Sequence, residues 1–243
     1  MDCIISLTSW KKRIDSEILQ LTLYSLISQP HICDFKVILV LSTLEFPNRD
    51  ADLPANLVKL VRRTPNAEIL YVHDNTKAYK KYFPVVRKYP NVPIITVDDD
   101  SIAKPFFLPY LWSIHQEYPE RVIYGYNKKL SKVAGDGTIK NVRYGVALYP
   151  PCSLYKLDEY FGRKYFKDMD DEFMKLLHVL NATHYYPVNA HDLLHMQIGM
   201  QNVAMGKIMH EQWDELDDMW NALWKAHPEL HKIWKRNSKL SNW

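Results

Sequence analysis

With 243 residues, 47% of them hydrophobic and 24% charged, the chain has room for one large α/β domain or two small ones, with a sizeable core. A net charge of +3 is too mild to point to nucleic acid as a partner. Seven glycines leave no glycine-rich phosphate loop, so any phosphate must be held by a metal or by basic side chains. No apolar run reaches the roughly 20 residues that span a bilayer. No basic leader precedes the first apolar segment, so neither a transmembrane segment nor a signal peptide is expected. The three cysteines, Cys3, Cys33 and Cys152, form no zinc pattern and no obvious disulfide framework, which favours a reducing, cytoplasmic compartment.

Residues 3–8 (CIISLT) read as a short buried strand, followed by the polar loop Ser9-Trp10-Lys11-Lys12-Arg13. Ile18, Leu21, Leu23, Leu26 and Ile27 supply the apolar positions of a helix over residues 16–28. Residues 35–41 (FKVILVL) predict a second strand, and residues 57–61 a short helix after Pro54. Residues 67–73 (AEILYVH) predict a third strand, ending in Asp74-Asn75, and residues 78–88 a helix. Residues 94–97 predict a strand that runs straight into Asp98-Asp99-Asp100. Strands separated by helices imply crossover connections and a mainly parallel sheet.

The second half changes character. Residues 121–126 (RVIYGY) and 142–149 predict strands around a polar turn, Gly135-Asp136-Gly137. Residues 105–118 and 127–140 read as variable loops that shape specificity. Residues 168–180 predict a helix whose first turn carries acids, where they suit the helix dipole. From residue 193 the pattern is mostly helical, over 195–210 and then 213–224, and the tail is basic and aromatic. Trp213, Trp220, Trp224 and Trp234 are expected to pack against the sheet domain rather than to form a stacking platform for a ligand. The organisation expected is one domain over residues 1–204 with a helical C-terminal extension over 205–243.

The acid triplet carries the chemistry. Side chains alternate along an extended chain, so Asp98 and Asp100 point one way and Asp99 the other. Three like charges this close resist joint ionisation. A divalent cation relieves that, and hard oxygen ligands select Mn2+ or Mg2+. The plain alternative is a solvated acidic turn, which the preceding apolar run weighs against.

Five segments stand in a fixed order: Ile5-Ser6-Leu7-Thr8-Ser9-Trp10, Asp74-Asn75-Thr76-Lys77-Ala78-Tyr79-Lys80-Lys81, the run from Tyr89 to Asp100, Gly145-Val146-Ala147-Leu148-Tyr149-Pro150-Pro151, and Asp170-Asp171-Glu172-Phe173. In that order they resemble a GT-A-type glycosyltransferase with a DXD motif, here DDD, close to bacterial glycan-building enzymes. The resemblance covers about residues 3–205. It implies a Rossmann-like, mainly parallel sheet flanked by helices, and a nucleotide-diphosphate sugar as donor, most often a UDP-sugar. It places Asp98 toward the ribose and Asp100 on an Mn2+ or Mg2+ ion that bridges the donor phosphates, with Asp98 and Asp99 in the same site.

Ser6, Thr8 and Arg13 would then line the nucleoside pocket, with Asp74 and Asn75 near the base. At least one of Lys77, Lys80 and Lys81 would meet the diphosphate, with Lys77 and Lys80 three apart on one helix face. Asp171, or failing that Asp170, would be the base that takes the acceptor hydroxyl's proton, so inversion is expected. His191 and His195 stand four apart, and His191 is the expected further metal ligand. The acceptor implied is a glycan or lipid-linked glycan, with the tail from Lys232 to Trp243 able to touch an anionic membrane surface. Two other readings compete: a metal-dependent nucleotidyl or phosphoryl transferase, and a non-catalytic sugar- or nucleotide-binding module. The missing glycine loop weighs against the first, and the acids at both Asp98–Asp100 and Asp170-Asp171 against the second.

Overall fold

The four apolar runs of the first half become β1 (Cys3–Thr8), β2 (Phe35–Ser42), β3 (Ala67–Val72) and β4 (Ile94–Val97), all parallel. They belong to a seven-stranded sheet in the order β3-β2-β1-β4-β7-β6-β8. The remaining strands are β6 (Val122–Tyr126), β7 (Val146–Tyr149) and β8 (Tyr185–Asn189). β7 runs antiparallel to both β4 and β6, and β8 runs parallel to β6, so β7 alone opposes the rest. A separate two-stranded sheet pairs β5 (Ser101–Ala103) with β9 (Leu194–Met196). The computed structural model describes residues 1–126, 145–196 and 215–238.

Alternation along the strands divides the core into two layers. Cys3, Ile5 and Leu7 face one side, with α1 (Glu17–Ile27), α2 (Ala55–Arg62) and α4 (Phe107–Glu117). Ile4, Ile38 and Val40 face the other, with α3 (Phe83–Lys88), α5 (Glu159–Phe166) and α6 (Asp170–Leu180). Burial on both faces is why β1 and β2 read as continuous apolar runs rather than alternating ones. α1 starts where its cap is strongest: the Ser16 hydroxyl accepts from the Ile18 and Leu19 amides at 3.1 and 3.4 Å.

Several expectations are corrected. Residues 105–118 are not a loop: Phe107, Leu108, Leu111 and Ile114 are the buried face of α4. The helix expected over 78–88 is split into a 3-10 turn, Lys77–Lys81, and the short α3. Pro84 sits in the first turn of α3, where its missing N–H costs no hydrogen bond. α5 and β8 were not foreseen. β8 contains Pro187, which an edge strand tolerates and which hides the strand from pattern reading. His195 lies in β9 rather than in a helix, because α7 (Ala190–Leu193) stops before it. Strand β7 begins at Val146, and the Gly135–Gly137 turn, the loop at 127–140, Trp213 and the expected boundary at 204/205 lie outside the described residues.

The C-terminal helices α8 (Leu216–Ala226) and α9 (Pro228–Asn237) pack on the α5–α6 layer through Met219, Leu223 and Leu230. Trp220, Trp224 and Trp234 cluster there, with ring centroids 5.0–5.6 Å apart. Asn237 donates to the carbonyls of Val179 and Leu180 at 2.9 and 3.0 Å, which satisfies the open end of α6. At the other contact of α6, a Cβ added to Gly162 of α5 would lie 2.5 Å from the Phe173 ring. Gly162→Ala is therefore expected to push α5 off α6 and to cost about 1–3 kcal/mol in urea unfolding.

Candidate active site

β4 delivers Asp98, Asp99 and Asp100 to the carboxyl edge of the parallel sheet, beside the end of β1. That edge is where open α/β sheets place ligands. Asp99 turns inward and is 8% exposed. Ser9 donates to its Oδ2 at 2.6 Å, and Arg13 Nη1 pairs with its Oδ1. The same guanidinium nitrogen lies 3.2 Å from Asp100 Oδ2. Arg13 thus fastens the loop after β1 onto the tip of β4, and Asp99 is held inside the protein rather than left open to a ligand. Asp98 and Asp100 are more open, at 38% and 23% exposure.

Lys81 joins the triplet to the second acid pair. Its Nζ lies 3.0 Å from Asp98 Oδ1 and 3.2 Å from Asp170 Oδ2. The lysine is 13% exposed. Burial alone would lower its pKa, but Asp170 and Asp98 overcome that and raise it well above the usual lysine value. Asp170 and Asp171 open the first turn of α6. They line a cleft with Lys81, Thr96, Tyr149 and Met174. Asp171 is held well above the ordinary carboxyl range by burial and by its neighbour Asp170, against the pull of Lys81. Asp100 is pushed up to about 6 by burial and the charge of Asp98, with Arg13 opposing. Burial likewise raises Asp99 in spite of Arg13.

The other sequence candidates fall in different places. Ser6 is fully buried in the middle of β1, between Ile38 and Thr96 in register, so it does not line an open nucleoside pocket. The Thr8 hydroxyl donates to the Val40 carbonyl at 2.7 Å. Lys80 is 1% exposed and lies 3.3 Å from Glu45 and 2.9 Å from the Asn75 side-chain oxygen, so its charge is spent inside the fold. Lys77, with a positive φ of 54°, is half-buried at the start of the same turn. Asp74 accepts from the Tyr160 hydroxyl. Asn75 holds the turn through its side chain, and its carbonyl accepts from Arg163 at 3.4 Å. Asp74 and Asn75 therefore sit at the β3 tip under α5.

The histidine expectation needs the largest revision. The chain turns into β9 at Leu194, so His191 and His195 share no helix face. His195 lies opposite Ile102, two residues past Asp100. His191 is further away, beyond Lys104, whose Nζ donates to the His191 carbonyl at 2.7 Å. Among the described residues no group of three or more His, Cys, Asp or Glu side chains assembles into a metal cluster.

This arrangement has the architecture of a known set of structures. The crystal structure of S. aureus TarS residues 1–349 superposes with a TM-score of 0.54 at 15% identity, covering 81% of this chain and 60% of that one. The same TarS fragment in complex with UDP gives 0.54 at 13% identity, over 82% and 61%. Its complex with UDP-GlcNAc gives 0.50 at 13% identity, over 80% and 58%. The fold is of the GT-A type. The chain spans about 60% of the TarS fragment it matches. No family model matches the sequence, and no curated protein matches it in sequence.

The raised acids have a consequence for stability. A carboxyl with a folded pKa above its unfolded value binds its proton more tightly in the native state, so stability falls as pH rises between the two values. For Asp100 that window runs from 3.8 to about 6. Asp100→Asn is expected to raise the Tm at pH 7.5, by an amount that shrinks toward pH 4. Thermal unfolding across that pH range, without divalent ions, reads the effect.

Proposed function

We propose that the chain is a metal-dependent glycosyltransferase that moves a sugar from a nucleoside-diphosphate donor, UDP-linked, to a hydroxyl of a glycan or lipid-linked glycan, with inversion. The observation that carries this reading is the meeting of Asp98 and Asp170 on Lys81 at the carboxyl edge of a GT-A-type sheet. TarS, the neighbour in fold, is a protein with UDP and UDP-GlcNAc complexes. Transfer of a sugar leaves a nucleoside diphosphate with extra negative charge. A dication on Asp98 and Asp100 would supply Lewis-acid stabilisation of that charge.

The residues present suit such an ion. A hard cation shared with phosphates needs only one or two protein carboxylates, and two stand here without a larger cluster. Asp100, which holds its proton up to about pH 6, gains most from a positive neighbour. Lys81, between the two acid groups, adds a fixed cation near the developing charge.

The Asp170–Asp171 pair acts as one base. Burial and the neighbouring Asp170 raise Asp171 above the ordinary carboxyl range while Asp170 pairs with Lys81, so the pair takes up the acceptor's proton from the state in which Asp171 is ionised. The rate of transfer is therefore expected to rise with pH as Asp171, whose pKa is raised, ionises. Among the described residues no helix is long and apolar enough to cross a membrane. Exposed Lys232, Lys235 and Arg236 on α9 support contact with an anionic membrane surface, where lipid-linked acceptors reside.

Thermal shift and turnover test the proposal together. UDP or a UDP-sugar raises the Tm only with Mn2+ or Mg2+ present, and Asp100→Ala removes that response. An equal response to ATP favours nucleotidyl or phosphoryl transfer, and no response to any nucleotide removes the donor assignment. Asp171→Asn keeps the metal-dependent donor response and lowers transfer about 10²–10⁴-fold. Normal turnover by both Asp171→Asn and Asp170→Asn rules out the pair as base.

A further inference from the structure

Cys3 and Cys33 lie 30 residues apart in sequence, yet their sulfurs approach to 3.9 Å. Cys3 opens β1 and pairs with Phe35, two residues after Cys33. A bend at Ile32 and Cys33 brings the second thiol back over the strand end. The two segments are already tied: the Asp2 and Cys3 amides donate to the Asp34 carbonyl at 2.6 and 3.3 Å, and the Asp34 amide donates to Asp2 at 2.9 Å. A disulfide needs sulfurs ~2.0 Å apart, so closure draws together two thiols whose strand ends are already hydrogen-bonded. Cys3 is fully buried, and Cys33 is half-buried and reachable from solvent. Cys152 is exposed on the segment after β7 and is not part of this pair.

We propose that Cys3 and Cys33 are a reversible disulfide pair, which oxidised glutathione or a similar small disulfide closes into a staple between the start of β1 and the entry to β2. The Cys33 thiolate attacks one sulfur of the oxidant, forming a mixed disulfide and releasing one glutathione thiol. Cys3, once deprotonated, attacks the Cys33 sulfur and releases the second glutathione. The two protein thiols are oxidised, one molecule of oxidised glutathione is reduced to two, and the two protons end on the departing thiols. The roles follow from access, and the contact supports them: the hydrogen bond from Cys3 lowers the Cys33 thiol, whereas that bond and burial raise Cys3. The pair stands at the amino ends of the parallel strands, at the opposite edge of the sheet from Asp98–Asp100. The staple constrains the unfolded chain without touching the acid site.

Incubation of the native chain with oxidised glutathione, followed by intact mass and tryptic mapping, tests this. The expected result is a loss of about two mass units, a linkage of peptide 1–11 to peptide 14–36, and a Tm several degrees higher that dithiothreitol reverses. The Cys152→Ser variant should behave identically, and Cys33→Ser should lose both the linkage and the Tm gain. Cys33→Ser changes a half-buried side chain only, so its fold is expected to hold. A glutathione adduct on Cys33 that never resolves, a linkage through Cys152, or a cross-link between two chains would each overturn the proposal.

Discussion

The candidate site depends on one mostly buried ammonium group. Lys81 stands between Asp98 at the end of β4 and Asp170 at the start of α6. Without it, two acids from different elements would face each other across a cleft with little water, and like charges there are costly. The lysine is equally dependent on them, since burial alone would lower its pKa. Five carboxylates, Asp98, Asp99, Asp100, Asp170 and Asp171, gather around two cations, Arg13 and Lys81. Such an excess of acid groups over cations is the setting in which a dication would help to bring a diphosphate in.

The same logic extends along the whole carboxyl edge of the sheet. Arg13 and Ser9, after β1, are fastened to Asp99 after β4. Glu45, after β2, meets Lys80 of the 3-10 turn, and Lys80 in turn holds Asn75 after β3. Lys81, the next residue, reaches Asp98 and Asp170. Each loop that follows β1 to β4 is therefore tied to another by a charged side chain at least partly removed from water. Breaking such a tie by removing one partner leaves an unpaired buried charge, which is far more destabilising than losing a surface pair. The edge that would hold a ligand is thus also the edge where the fold is most sensitive to charge.

The strands were legible because a sheet covered on both faces writes itself as runs of Ile, Val and Leu, and β1, β2 and β4 are such runs. The helices were less so. Phe107, Leu108, Leu111 and Ile114 carry a helical spacing, but Pro105 and Pro109 at its start made the segment look like a loop. β8 was masked by Pro187. At the site, the acids were legible because three in a row after an apolar strand is unusual. Which lysine serves them was not. Lys77, Lys80 and Lys81 are alike in sequence, and only the 3-10 geometry of the turn decides that Lys80 faces Glu45 while Lys81 faces the acids. His191 and His195 part for a related reason, since spacing by four means a shared face only where the helix continues.

The placement of Asp100 links stability to chemistry. The residue before the triplet belongs to the main sheet, and the residue after it opens β5, which pairs with β9 in the second sheet. The Ser101 amide donates to the Asp98 carbonyl at 3.3 Å, closing the turn between them. The acids are therefore pinned from both sides, and a charge they stabilise is met without rearrangement. Asp100 stays mostly buried beside Asp98, and for that reason its carboxyl is pushed up to about 6. An acid held where its own charge is disfavoured, on a backbone fixed by two sheets, is stabilised only by what binds it.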